Sequence, residues 1–429
     1  MKRIFSLILA AFMTIGLAAC HTENPQESKE TFVPGLDTSA ACKISVVGTY
    51  SNFEALETEF DRFNEYYPNV ELSYTKIDDY NNLIATVLNG NDAPNIFFSF
   101  SWMTGNTAYD EVFAHMENLA DASLGLDLDC IRPGLLSRDA QGRVLMAPIF
   151  STSYGMLVNN DLFEKEGLKV PSTLDELLSA CAAFREKGYA SPIMGYSAKP
   201  SGSLMLTIAY PIFAGTLAEH PEMVARANQC DPAAGVYMRP ALEAVSQLID
   251  KKCVDLDLCN AISDNYTAVI LRFFEGDVPM MICTGDTVSG TKKRESQSEA
   301  FTANPFAYSF YPVPAAARGG YFLDSPSVQF SVNNTCDNLD MTNEFMRFLI
   351  SKTELNQMAS EKRLITPSKD LSFDKVYAPV GELAPELVIS PTALGIEDTL
   401  VAQIRVASYQ VGTGAMTIDD AVAQYGSLK

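Results

Sequence analysis

The sequence predicts an α/β fold spread over more than one domain, and three observations predict it. The chain has 429 residues, more than one core usually holds, so two domains are expected. Between Cys42 and Phe100, short β-branched or aromatic runs alternate with helical periodicity. Strands separated by helices imply a parallel sheet with helices packed against it. Beyond about residue 275, extended runs return in "GDVPMMICTG", "FAYSFYPVP" and "GGYFLDSPSVQFSVN". Apolar residues at 47% and charged residues at 20% exclude a disordered chain.

The first strand is expected over Cys42 to Val47. A helix is expected over Asn52 to Tyr67, with Phe53, Leu56, Phe60 and Phe63 on one face and Pro68 as its stop. "NVELSY" alternates as a strand. Tyr80, Leu83, Ile84, Val87 and Leu88 mark a second helix that Gly90 ends, and "NIFFSF" is a buried strand. Ligands of such sheets gather at the carboxyl ends of the strands, which points to Tyr50, Ser51 and Asn52, and to Ser101 and Trp102. A further strand ends at Asn159. Asn160 and Asp161 are expected to cap a short helix that Gly167 ends. Thr173 with Glu176 reads as a capping box before the stripe Leu174, Leu177, Leu178, Cys181 and Phe184. A mostly helical stretch follows, in which Tyr210 and Phe213 read as helix packing.

Residues 1–19 read as a signal peptide: Lys2 and Arg3, then the apolar run Ile4 to Ala19. Leu17-Ala18-Ala19-Cys20 resembles the bacterial lipobox, so Cys20 is expected to be lipidated and to carry a lipid anchor in the membrane. A plain secretory signal is the alternative. A polar, flexible tether is expected over residues 20–41. No later stretch is apolar and long enough for a membrane helix, which places the mature protein outside the cytoplasm. Removing Lys2 and Arg3 takes the net charge from −22 to −24, which argues against a nucleic-acid partner. Beyond Cys20, eight cysteines remain at 42, 130, 181, 230, 253, 259, 283 and 336. Disulfides and free thiols both fit that pattern.

The residues point away from catalysis and metal binding. His21, His115 and His220 are scattered and near no cysteine pair. Asp127/Asp129 and Asp255/Asp257 lack a calcium-loop continuation. Ser289 to Lys292 fits Ser-x-x-Lys, but no companion motif appears, and "GTGAM" is no dinucleotide fingerprint. No catalytic residue, metal or cofactor is therefore expected. The cluster Lys292-Lys293-Arg294 reads as a solvated loop.

Four segments, in order, carry a resemblance: "LVNNDLFEKEGLKVPSTLDELL", "FFEGDVPMMICTG", "EFMRFLISKTELNQMA" and "VASYQVGTGAMTIDDAVAQYGSL". Together with the lipobox, they resemble the extracellular solute-binding proteins of ABC importers, of the carbohydrate type that includes maltodextrin binders. Asn95 stands where that family usually has aspartate, and Asp286 with Thr287 where many sugar binders have tryptophan.

The resemblance implies a periplasmic-binding-protein-like fold, two α/β lobes joined by hinge crossings with a ligand cleft between them. It implies lobe 1 at 42–148 plus 326–372 and lobe 2 at 149–325 plus 373–429, with a third crossing near 370. It implies a monomer that binds a small solute, most simply a sugar or oligosaccharide, by hinge closure and hands it to the transmembrane permease subunits. The ligand-binding candidates are Tyr50, Asn52, Trp102, Ser153, Tyr154, Asp286, Tyr321 and Asp324. The alternatives are a binder of peptide, polyamine or phosphorylated metabolite on the same fold, or a surface-anchored glycan hydrolase.

Overall fold

Strands and helices alternate from Cys42, as the periodicity requires: β1 (Cys42–Gly48), α1 (Glu54–Asn64), β2 (Val70–Lys76), α2 (Tyr80–Leu88) and β3 (Ile96–Ser99). This computed structural model describes residues 31–262, 266–369 and 374–428. After an irregular segment come β4 (Ala147–Pro148), β5 (Ser151–Thr152) and β6 (Tyr154–Asn159). Then follow α3 (Asn160–Glu166), α4 (Leu174–Glu186), β7 (Ile193–Met194), α5 (Leu204–Glu219) and α6 (Arg239–Asp250). Past two shorter helices come β8 (Met280–Thr284), α7 (Gly285–Ser289) and α8 (Thr291–Gln297), and after one more short helix β9 (Tyr308–Tyr311). The chain returns through β10 (Phe322–Leu323), β11 (Ser325–Pro326) and β12 (Gln329–Val332). It then adds α9 (Leu339–Leu349), α10 (Lys352–Lys362), β13 (Val388–Ile389) and α11 (Asp398–Gly412).

These strands make two main sheets. The first has the order β2-β1-β3-β12-β4, with β1 parallel to β2 and β3, and β12 antiparallel to β3 and β4. The second has the order β7-β8-β6-β9, with β6 antiparallel to both neighbours and β7 parallel to β8. Burial explains the partition. Leu56, Phe60 and Phe63 turn the apolar face of α1 inward, and Phe63 meets Phe345 of α9 at 5.0 Å between ring centroids. The second sheet is covered by α5, every residue of which is buried from Leu204 to Gly215.

Between the sheets, three stretches of chain lie side by side. The first crossing, β5, pairs antiparallel with β11 of the second, Ser325 opposite Thr152. Ile365 bridges Ser151 from the third. The third crossing was expected near residue 370, and residues 370–373 lie outside the described residues. One side chain ties all three. Arg132 donates to both carboxylate oxygens of Asp324 at 2.7 Å, to Ser151 Oγ at 2.8 Å, and to the carbonyls of Thr366 and Ser368 at 2.6 and 2.9 Å. A planar guanidinium has donors enough to hold that many acceptors at once.

Several local expectations shift. Helix α1 is shorter than expected, because Phe53 takes a non-helical backbone and Asn64 Nδ2 donates to the carbonyls of Tyr67 and Val70, closing the turn that contains Pro68. The cap of α3 is Asn159, whose side chain accepts from Leu162 N, rather than Asn160 or Asp161; Gly167 does end α3, at φ +68°. Thr173 accepts from Glu176 N, but the Glu176 carboxylate bonds Ser172 N and Oγ at 2.8 and 2.7 Å, one residue outside a true box. Residues 34–41 are not a loose tether: Gly35 N donates to Glu344 Oε1 at 2.7 Å and Leu36 N to Tyr67 Oη at 3.1 Å. Cys20 and the expected signal peptide lie outside the described residues. The eight described cysteines are free thiols. Asn95 has a structural reason to be an amide: Nδ2 donates to Asp337 O and Thr342 Oγ1 while Oδ1 accepts from Ser45 N. An acceptor-only carboxylate could not make the first two bonds.

A buried acid beside α10 makes stability depend on pH. Glu59 of α1 is 0% exposed and lies 3.2 Å from Arg62 Nε, but that guanidinium is turned to Glu354 at 2.8 and 2.6 Å. Burial first, then the hydrogen bond and charge of Glu354, push the Glu59 carboxyl well above the usual range. A raised folded value means that its contribution is full below the unfolded value of 4.5 and is lost as pH climbs toward the folded one. Glu59→Gln has no proton to lose. Its stability relative to the parent should therefore rise between pH 5 and 8, by roughly 1–3 kcal/mol in urea unfolding. A pH-independent difference would show that Glu59 is ionised in the fold.

Candidate functional site

The first sheet offers a polar and aromatic edge. Because β1 and β3 are parallel neighbours, their carboxyl ends open on the same side, where Tyr50 to Asn52 and Ser101 to Trp102 follow. Gly48 permits the close approach there; a Cβ at that position would lie 2.5 Å from the Phe98 ring. Tyr50 is half-buried and stands edge-on to Phe53 at 5.1 Å and Phe98 at 5.5 Å. Asn52 is exposed. Trp102 is 37% exposed, parallel to Phe100 at 5.7 Å and edge-on to Tyr109.

The second sheet offers a matching edge. Tyr154 opens β6 opposite Thr284, which closes β8, so Ser153, Tyr154 and Asp286 share one side, next to the crossings. Tyr154 meets Tyr210 of α5 edge-on at 5.3 Å. Burial pushes the Tyr154 phenol up to about 12, and pushes Tyr210 up as well. Arg405 and Asp398 of α11, paired at 3.5 Å, act electrostatically on both phenols, and Asp286 acts on Tyr154. Arg405 Nε is buried with no hydrogen-bond partner among the described residues. An arginine with an unused donor beside two phenols and two carboxyls can hold a hydroxyl-rich ligand. The sequence reading missed Arg405 and Asp398. They lie on a helix more than two hundred residues from Tyr154, and no local pattern links them.

The other candidates lie at or beside the crossings. Asp286 Oδ1 accepts from Ser327 Oγ at 2.6 Å, tying α7 to the second crossing, and burial raises its carboxyl. Ser153 Oγ accepts from Leu323 N at 2.9 Å and donates to Tyr154 O, which spends the hydroxyl on backbone. Tyr321 is half-buried against Gly215 of α5, where a Cβ would sit 2.5 Å from its ring. Asp324 is 6% exposed with both oxygens on Arg132, so the structure makes it a hinge anchor instead of a ligand contact. Lys292-Lys293-Arg294 is not a loop but part of α8. There Lys292 Nζ donates to Glu361 O at 3.3 Å and Arg294 Nη2 to Thr267 Oγ1 at 2.6 Å.

Ser289 Oγ donates to Asp286 O while Lys292 reaches α10, so the Ser-x-x-Lys pair is drawn apart. Among the described residues, no group of three His, Cys, Asp or Glu is placed to hold a metal ion. Two cavities of about 220 and 310 Å³ lie away from both edges. One is walled by Leu119 to Asp129 with Arg138, the other by Asn159, Lys165, Glu275 and Phe306 at the far end of β6.

Comparison with known proteins adds the family. The model of the family described as bacterial extracellular solute-binding protein matches residues 48–354. The melibiose/raffinose/stachyose-binding protein MelE of Bacillus subtilis is 26% identical over 201 residues, which span 44% of this chain and 42% of that protein. The fold is similar to that of apo RafE from Streptococcus pneumoniae, at TM-score 0.66 and 16% identity over 91% of this chain and 97% of that one. It is also similar to the GacH receptor of Streptomyces glaucescens, solved unliganded and with acarbose, at TM-score 0.64 and 19% identity over 90% and 97%.

Proposed function

The chain belongs to the bacterial extracellular solute-binding proteins, and from that membership we propose that it captures a small carbohydrate between two lobes and delivers it to an ABC permease. The observation that carries the reading is a strand-end edge on each sheet, with aromatic and polar side chains, the two sheets being joined by three side-by-side crossings. We assign lobe 1 to 42–148 plus 326–372 and lobe 2 to 149–325 plus 373–429. Sugar rings offer C–H faces to aromatics and hydroxyls to amide, carboxyl and guanidinium groups. Trp102, Tyr50 and Asn52 would meet the ligand from lobe 1. Tyr154, Tyr210, Asp286 and Arg405 would meet it from lobe 2. A ligand touching both lobes favours the closed arrangement by the contacts it gains only there. No bond is broken in this cycle.

The name of MelE supports raffinose-type saccharides as first candidates. The reading further places the mature chain outside the cytoplasm as a monomer anchored by lipid on Cys20; a mass spectrum of the mature N-terminal peptide tests that anchor. Calorimetric titration and thermal shift with melibiose, raffinose, stachyose and maltodextrins test the binding. Saturable binding with a raised melting temperature is expected, with the sugar recovered intact by chromatography. Released monosaccharide would support the hydrolase, and a response confined to peptides or polyamines would support the non-sugar binder.

A further inference from the structure

Lys362, the last residue of α10, is placed where a side chain of its kind needs a reason. Its ammonium stands 4.6 Å from the centroid of Tyr50 and 5.6 Å from that of Phe53, at the strand-end edge of the first sheet. It is half-buried, and no carboxylate lies within ion-pair distance of it among the described residues. Glu54, in the first turn of α1, acts on it only at longer range. Helix α8 packs directly on the end of α10: Lys292 Nζ bonds the carbonyl of Glu361, the residue before Lys362, and Arg363, the residue after it, donates to Glu295 at 2.6 Å. The next lysine, Lys293, is exposed and close enough for its like charge to act on Lys362.

Lys362 thus stands at the edge that carries Tyr50, and the like charge of Lys293, on a helix packed against the end of α10, acts on it, in a chain whose net charge is −22. Bringing them closer costs Coulomb energy, and burying Lys362 further costs solvation. Cation–π contact with Tyr50 offsets part of this, as does the negative end of α10. An anionic group set between them would remove the repulsion and would be gripped from both sides, so its binding would favour closure.

We propose that Lys362 and Lys293 form a receptor for a ligand carboxylate, so that the saccharide taken up is an acidic one, a uronate-containing oligosaccharide. This rests on the carbohydrate reading above and narrows it. The test is calorimetric titration of the full mature chain with trigalacturonate and, separately, with neutral raffinose, in the parent and in Lys362→Met, Lys362→Arg and Lys293→Met. Trigalacturonate should bind at least ten-fold more tightly than raffinose, and less tightly as salt rises. Lys362→Met should lose at least ten-fold in affinity for trigalacturonate, Lys293→Met less, and Lys362→Arg should retain most of it. Melting curves without ligand should be alike across the four proteins. Tighter binding of raffinose, or an unchanged trigalacturonate affinity in Lys362→Met, would overturn the acidic assignment and leave the sugar reading standing. Binding of neither saccharide would overturn the acidic assignment, and the panel of neutral sugars above then decides the carbohydrate reading.

Discussion

Replacing Arg132 by methionine should cost about 3–5 kcal/mol of folding stability, the penalty for removing one partner of a buried ion pair. The side chains of Arg132 and Asp324 are 15% and 8% exposed, so solvent screens them little. Without the guanidinium, the Asp324 carboxylate stays in the fold with no cation. The carbonyls of Thr366 and Ser368 and the hydroxyl of Ser151 also lose a donor. All three crossings lose their common tie at once. A paired change, Arg132→Met with Asp324→Leu, should recover much of the loss, because a well-packed apolar pair often stands in for a buried ionic one. Urea unfolding of the parent, the singles and the double measures the coupling. A single change within about 0.5 kcal/mol of the parent would mean that the hinge is held by its β5–β11 pairing alone.

Trp102→Ala should have the largest effect on binding: at least a ten-fold weaker saccharide affinity, or about 1.4 kcal/mol, with little change in the melting curve. The indole is 37% exposed and braced by Phe100 and Tyr109, so it presents a pre-set apolar surface without filling the core. Arg405→Ala should act on the same ligand from lobe 2 by loss of its donors, including the one now unused at Nε. A fall in melting temperature with unchanged affinity in Trp102→Ala would make the tryptophan a packing residue. Trp102→Phe, which keeps an aromatic face, should retain most of the binding.

Much of the first sheet was legible because local signals agree there. The stripe of α1, the alternation of β2 and the apolar run of β3 each point to one element in one place. The polar edge beyond β1 and β3 follows from strand direction alone. Segment ends were less legible, since a side-chain bond from Asn64 or Asn159 sets them and the neighbouring residues look equally able. The cluster in α8 reads as a loop because Gly290 and a run of charged residues hide any apolar stripe. The crossings and Tyr154 were expected, but the partners that hold them, Arg132, Arg405 and Asp398, were not legible. Arg132 meets Asp324 across 192 positions, and Arg405 meets Tyr154 only through the packing of α11 on α5. Such pairs leave no periodic trace, and Asp324, expected at a crossing as a ligand contact, takes its role from an arginine that stood out in no motif.

Small-angle X-ray scattering of the mature chain, alone and saturated with the tightest saccharide from the titrations, tests the hinge most directly. The expected result is a contraction in radius of gyration on binding, absent when a non-binding sugar is added and weakened in Trp102→Ala at the same ligand concentration. Superimposable curves with and without a ligand that calorimetry shows to be bound would mean that the two lobes do not close on it.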